Sequence, residues 1–518
     1  MEACRVSLSG AVRWLGQPVS AGSLVLFRVA LGFTCAIWAA DYLHSGRGVL
    51  LCRPDSFHFT WPGFGWVRPW PGGGMQLQFL AMALAGVAFA CGLATQLSNF
   101  LLAFGMTHFF LIDRTNYQNH YYLLMLLTWL SLCLPVARFW SIDAYAGVLP
   151  GGQKVSRGAL FLVQFHAALP YVFGGLSKLD GDWLSGRPMQ FLLMQRFGLA
   201  YDDGVAVTGG LLLAWGGLLF DLLIVPGLVW RPSRVIAWVL LLTFHVTNAW
   251  LFPIHVFPWF MIALSAVFLP ADWPLVVLRR VGCGRSGDVV PLGLSLPSGV
   301  WCGAAIRARL VAVLIGLYCL FHCLWPLRGC VYGDVTGWTE RGHYFAWRMM
   351  LRGKSTGLRY YLTDAASGRT WVADISRLLH TEQSARFATD PEMILQLGRT
   401  LADLHEQREG MRPIVRVLAL SSLNGRRPQL LIDPEVNLAA EPSWPRRRGW
   451  IRPLVEPLPD RPWTVPMEEW EQHVSLPRLP WRTSAASSVK QQTSGLPERQ
   501  PATASPSAGP TPEGPRRS

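Results

Sequence analysis

The most constraining feature of this chain is a succession of helix-length apolar blocks that carry almost no charge, running from about residue 22 to residue 327. A spanning helix needs roughly 20 predominantly apolar residues, and a water-soluble fold has no use for so many. Candidate spans are 22–43, 76–96, 98–112, 121–136, 159–176, 205–229, 234–250, 254–270 and 308–327. Only 15% of the 518 residues are charged, and those concentrate in the connections and after residue 327. The expected fold is an all-α multi-pass membrane bundle of about nine transmembrane helices, followed by a β-rich (α+β) extramembrane domain. The partner implied first is the lipid bilayer.

Basic residues near span ends mark the cytoplasmic face. Arg5 and Arg13 precede the first span, Arg138, Lys154 and Arg157 lie between the fourth and fifth, and Arg231 and Arg234 divide the sixth from the seventh. Arg279, Arg280, Arg285, Arg307 and Arg309 precede the ninth. With nine spans all of these share one face. The loops 113–120, 177–204 and 251–253, and everything after residue 328, then share the other, facing the periplasm in a bacterium or the endoplasmic-reticulum lumen in a eukaryote. The net charge of +14 is thus read as a topology signal, and no nucleic-acid-binding motif accompanies it. Ten cysteines include no C-x-x-C pair, and six lie in or beside apolar blocks, which argues against zinc or disulfide frameworks. No metal site is expected.

The chain divides into a membrane part, 1–327, an extramembrane domain, 328–482, and a tail, 483–518. In the second part, Leu358–Thr363 and Ile414–Leu420 have strand-like content, Asn424-Gly425 is a turn signal, and 382–407 reads as helical. The Ser-, Pro- and Thr-rich tail cannot bury enough apolar area to order itself.

Two stretches carry candidate chemistry. In Tyr171-Val-Phe-Gly-Gly-Leu-Ser-Lys178-Leu-Asp-Gly-Asp-Trp183, a lysine closes an apolar helix. Desolvation disfavours an ammonium, so such a lysine is a candidate base; the plainer alternatives are snorkelling to the interface or pairing with Asp180 or Asp182. In Asp113-Arg-Thr-Asn-Tyr-Gln-Asn119-His120, eight polar or amphipathic residues separate two apolar blocks. His120 can exchange a proton and Asn119 can donate to an oxyanion; an interfacial loop with an aromatic belt is the plainer alternative. Weaker candidates are His166, the run Phe244-His245-Val-Thr-Asn248, and the aromatic and Met-rich block Trp338–Met350, read as a lid over an apolar ligand or a re-entrant segment.

Together these stretches resemble the vitamin K-dependent γ-glutamyl carboxylase family, whose membrane part is the HTTM domain. The likeness is carried by Asp113–Leu123, Trp140-Ser-Ile-Asp143, Gly175–Trp183, Phe244–Asn248, Trp273-Pro274 and Trp338–Met350. It implies an enzyme that oxygenates reduced vitamin K to its epoxide with O2, and uses the strong base so generated to carboxylate protein glutamate with CO2. By the same resemblance Lys178 is the base toward the hydroquinone, with His120 and Asn119 assisting. His245, Asn248, Trp347, Met349 and Met350 are the expected cofactor contacts. Animal members carry two adjacent lysines where this chain has Ser177-Lys178, and Glu-Arg-Gly-His-Tyr-Phe at 340–345 looks like bacterial members. The competing readings are a transporter, since buried charge also marks solute pathways, and a non-catalytic membrane scaffold.

Overall fold

The computed structural model describes residues 8–53, 56–252, 254–280, 301–442 and 449–482. The expected disordered tail at 483–518 lies outside them. Seven helices are long and apolar enough to cross a membrane, or eight if one bent pair counts as a single span. This is a multi-pass membrane protein. The helices used below are α1 (Gly22–His44), α2 (Gly74–Cys91), α3 (Thr95–Ile112), α4 (Asn119–Leu132), α5 (Arg157–Ser177), α6 (Gly204–Val229), α7 (Arg234–Leu251), α8 (Phe257–Ser265), α9 (Trp301–Leu324) and α10 (Pro391–Glu409).

Two expected spans differ from the simple pattern. The block at 121–136 yields α4, only 14 residues long, because the chain leaves the helix at Cys133 and Pro135 follows. The block at 254–270 yields α8 and a short 3-10 turn, then bends by 99° into Trp273–Arg280.

Close packing in a bilayer relies on small residues, because lipid is as apolar as leucine. At the α1–α2 crossing a Cβ on Gly32 would stand 2.6 Å from the Gly86 carbonyl oxygen, and one on Gly86 would stand 2.7 Å from that of Gly32. Near the end of that pair Asp143 accepts from the Ala94 and Thr95 amides and the Thr95 hydroxyl at 2.7–2.8 Å, capping α3. This accounts for the Trp-Ser-Ile-Asp stretch as a capping device. A two-stranded ribbon of β1 (Pro18–Ser20) and β2 (Lys154–Ser156) ties the N-terminal segment to the connection before α5.

The C-terminal domain holds a four-stranded antiparallel sheet in the order β4-β3-β5-β6, from β3 (Lys354–Thr363), β4 (Thr370–Val372), β5 (Ile414–Leu423) and β6 (Gln429–Leu430). The central pair runs in register from Lys354 opposite Leu423 to Thr363 opposite Ile414. Helix α10 covers it, with Met393, Ile394, Leu397 and Leu401 on one face against Tyr360, Val415 and Val417. The helical stretch expected over 382–407 consists of two helices, Thr381–Phe387 and α10. Asp390 caps the Glu392 amide and Pro391 takes the first helical position, where its missing N–H costs nothing.

Gly86→Val forces a branched side chain into the α1–α2 backbone contact, and overpacking of this kind costs about 1–3 kcal/mol. The expected result is a lowered thermal unfolding midpoint in detergent; an unchanged midpoint contradicts the close approach.

Candidate active site

Lys178 caps the C-terminus of α5, and its side chain turns back into the protein, 6% exposed. Its Nζ donates to the carboxylate of Asp221 on α6, 4% exposed, and lies 5.1 Å from the centre of the Trp183 ring. The Trp183 indole in turn donates to the Ala214 carbonyl of α6 at 2.8 Å. The Gly174-Gly175 pair makes this possible: a Cβ on Gly175 would stand 2.7 Å from Leu222 Cδ2, and one on Gly174 would stand 3.1 Å from Asp221 Oδ2.

The two acids suggested as partners by sequence proximity are used elsewhere. Asp180 caps the Asp182 amide at 3.0 Å. Asp182 takes a two-pronged contact from Arg426 at 2.5 and 2.7 Å and a 2.7 Å bond from Asn424 Nδ2. Burial would raise the Asp182 carboxyl, but Arg426 and Asn424 hold it below its ordinary value. Asp221 was missed in the sequence reading. Its signal was present, as the one ionisable residue in the 26-residue, otherwise mostly apolar helix α6.

The polar stretch before α4 divides into a docking half and a half near the site. Asp113, wholly buried, accepts from the Thr115 amide and hydroxyl and from Gln383 Nε2 at 2.7–2.8 Å. Arg114 donates to Asp390 at 2.8 Å, and the Tyr344 hydroxyl joins the same carboxylate at 2.7 Å. Burial alone would raise Asp390; Arg114 and Tyr344 keep it lowered. The pairs Asp113–Gln383 and Arg114–Asp390 hold the C-terminal domain against the membrane part.

Asn119 donates through Nδ2 to the Arg348 carbonyl at 3.1 Å and accepts the Tyr117 hydroxyl at 2.8 Å. The Met349 Cε lies 3.4 Å from where a Gly174 Cβ would sit, beside Asp221, and Trp347 packs on Tyr122 with ring centres 5.0 Å apart. Asn119 thereby holds the segment 347–349, whose Met349 lies beside Gly174 and the Asp221 that binds Lys178. His245 approaches from α7, bonding the Tyr171 hydroxyl of α5 at 2.8 Å. His120 packs on Tyr121 and Phe257, centres 4.4 and 5.1 Å away. A cavity of about 320 Å³ adjoins it, lined by Gln118, Tyr121 and His255 from the membrane part and Glu382 and Arg386 from the domain above. Among the described residues no hydrogen bond, ion pair or ring contact joins His120, Asn248 or Met350 to Lys178, and Met350 is 45% exposed. His166 bonds the Leu162 carbonyl and the Tyr318 hydroxyl, each at 2.9 Å, as a packing histidine does.

The segment that packs beside Gly174 and Asp221 is conformationally unusual. Glu340, Phe345, Trp347 and Met350 all take φ of +57° to +60°, a region that non-glycine residues seldom enter and that costs of order 1–3 kcal/mol each. Such strain clusters at functional sites.

Two family profiles match the chain. The HTTM domain covers residues 16–273, and the vitamin K-dependent gamma-carboxylase lumenal domain covers residues 307–457. The chain belongs to the vitamin K-dependent γ-carboxylase family. No solved structure is significantly similar to it. Membership in a carboxylase family makes the protein an enzyme of that kind, and the second matched region takes in most of α9 as well as the sheet domain.

A buried charge cluster supports the strained segment of this carboxylase relative. Glu340 Oε1 lies 2.6 Å from Arg352 Nη1 and 3.7 Å from Lys354 Nζ, and Glu340 Oε2 lies 3.8 Å from His343 Nδ1. Burial pushes the Glu340 carboxyl from 4.5 up to about 7 against the pull of Arg352 and Lys354, and pushes Lys354 down to about 8. A carboxyl raised by folding contributes stability that is fully present below its unfolded value and is lost as pH climbs through the folded one. Glu340→Gln therefore gains on the wild type across the window from 4.5 to about 7. Thermal unfolding at about pH 5 and about pH 7.5, below the Lys354 transition, checks this: the midpoint difference, variant minus wild type, becomes more positive at the higher pH.

Proposed function

We propose that this protein is a vitamin K-dependent carboxylase-like membrane enzyme that couples oxygenation of vitamin K hydroquinone to its epoxide with carboxylation of protein glutamate. The observation that carries the reading is the buried Lys178 amine beside Asp221, linked through Met349 and Arg348 to Asn119, in a chain of this family.

The residues at the site fit a quinone. An amine–carboxylate couple and an asparagine amide supply polar contacts for ring oxygens, while Trp347, Met349, Tyr122 and Phe220 supply aromatic and thioether surface for an apolar ring. When bound, reduced vitamin K with O2 supplies a base strong enough to take a glutamate γ-proton, after which CO2 is captured. A glutamate γ-proton is beyond the reach of any side chain, so the protein's task is to protect that base from water. Lys178 receives a hydroxyl proton at Nζ. Asn119 orients an oxygen through Nδ2, exchanging its bond to the Arg348 carbonyl for one to the ligand. His120 serves from the cavity side, and His245, Asn248, Trp347, Met349 and Met350 shape the walls.

Contacts support nine crossings, with the C-terminal domain on the non-cytoplasmic side. The β1–β2 ribbon keeps residues 18–20 and 154–156 on one face, so an even number of crossings separates them. Helices α1 to α3 supply three, and α4 is the fourth. Its 14 residues rise about 21 Å, so buried flanks complete the passage. Likewise Asp113 and Asp182 both bind the same domain, which agrees with crossings by both α4 and α5. The basic loops and the lumenal character of the matched domain give the direction.

Lys178→Ala, in protein that accumulates and unfolds at the wild-type temperature, is expected to reduce epoxide formation from reduced vitamin K by at least about 10²-fold. Full activity in this variant removes the assignment. Membranes given reduced vitamin K and labelled CO2, with and without a glutamate peptide, are expected to yield epoxide and peptide-bound label together.

A further inference from the structure

We propose that the proton acceptor at this site is the Lys178–Asp221 couple rather than Lys178 alone, with Asp221 as the positioning residue for the amine. The inference rests on the hydroquinone chemistry proposed above and adds to it a residue that the resemblance did not supply.

Four observations converge on Asp221. It is the one ionisable group in a 26-residue apolar helix, where an unpaired carboxylate is costly. Its partner is the candidate base itself, and both are buried. The backbone of α5 comes close to them: a Cβ on Gly174 would stand 3.1 Å from Asp221 Oδ2, and one on Gly175 would stand 3.2 Å from Asp221 Cβ and 2.7 Å from Leu222 Cδ2. Finally, Asp180 and Asp182, adjacent in sequence, are committed to other partners. The lysine is therefore held by one carboxylate from a separate helix, 43 residues away.

This pairing alters the proton bookkeeping. The couple shares one proton and has no net charge, whether the proton sits on nitrogen or on oxygen. When a hydroxyl donor meets it, the O–H bond breaks and the electron pair stays on the donor oxygen. The couple ends as an ammonium and a carboxylic acid, with one positive charge next to that oxygen. The end state is the same from either starting tautomer. A solitary amine would first have to lose its own proton to bulk water. The couple reaches readiness without that export, in a site that excludes water.

The test uses the full-length enzyme in detergent, as wild type, Asp221→Asn, Asp221→Glu and Lys178→Ala. The first readout needs no ligand: trace acetic anhydride acetylates Lys178 only when the amine is free, and mass spectrometry follows the extent against pH. Removing an opposite charge at contact distance typically moves such a midpoint by about one to three units, so the Asn variant is expected to label at lower pH by that amount. The second readout is the acid limb of epoxide formation. In the wild type competence is lost when the carboxylate of the couple takes a proton; in the Asn variant it is lost when the amine does, and amines take up a proton at higher pH than carboxylates. That limb is expected to move to higher pH. The two midpoints thus move in opposite directions, which a purely structural Asp221 would not produce.

Unchanged labelling and activity midpoints in Asp221→Asn overturn the couple. If the Asn variant does not accumulate, Asp221→Glu carries the test: the carboxylate persists one methylene out of place, so the limb stays while kcat falls at least tenfold, and wild-type kcat overturns the positioning role. Full epoxide formation by Lys178→Ala removes the hydroquinone reading instead, while the labelling result still judges the pairing.

Discussion

A carboxylate halfway along an apolar helix has to be answered by a cation, and most of the site follows from how that demand is met. Asp221 is answered by Lys178, and the answer requires α5 and α6 to lie closer than ordinary side chains allow. The glycine pair at 174–175 supplies the approach, the Trp183 ring covers the amine, and Met349 closes the remaining side. Stranding one partner of a buried pair typically costs about 3–5 kcal/mol, more than the net worth of the intact pair. The pair is therefore poor evidence for stability and better evidence for function, since packed apolar residues would hold two helices together more cheaply.

The same logic operates at the seam between the two parts of the molecule. Across it Asp113 accepts from Gln383, Asp390 from Arg114, and Asp182 from Arg426 and Asn424, while Tyr344 adds a second bond to Asp390. Hydrogen bonds to charged groups contribute about 1.5–3 kcal/mol each. That is the scale of the strain in Glu340, Phe345, Trp347 and Met350. The docking contacts lie on both flanks of the strained segment, so its conformation persists because the ends are held.

Much of the architecture was legible because lipid imposes a simple rule on composition. The spans appear as apolar blocks, Asn424-Gly425 appears as the turn between β5 and β6, and Lys178 stands out as a charge at the end of a span. What escaped were relations across the chain. Asp180 and Asp182 were the natural partners for Lys178 by proximity, yet a helix terminus and a distant arginine had claimed them. The polar run before α4 looked like one functional unit, whereas its first half is structural and only Asn119 reaches the segment beside Lys178. The break at Asp390-Pro391 was visible in principle, as an N-cap followed by a proline, within a helical pattern that masked it.

The bond from Asn119 to residue 348 has an evolutionary implication. The amide grips a main-chain oxygen, and every residue type presents the same oxygen in the same place. Position 348 is free to drift in charge and size without loosening this joint, whereas position 119 tolerates little besides an amide of the same reach. Variation among relatives should accordingly be lopsided at these two sites, even though they form a single contact.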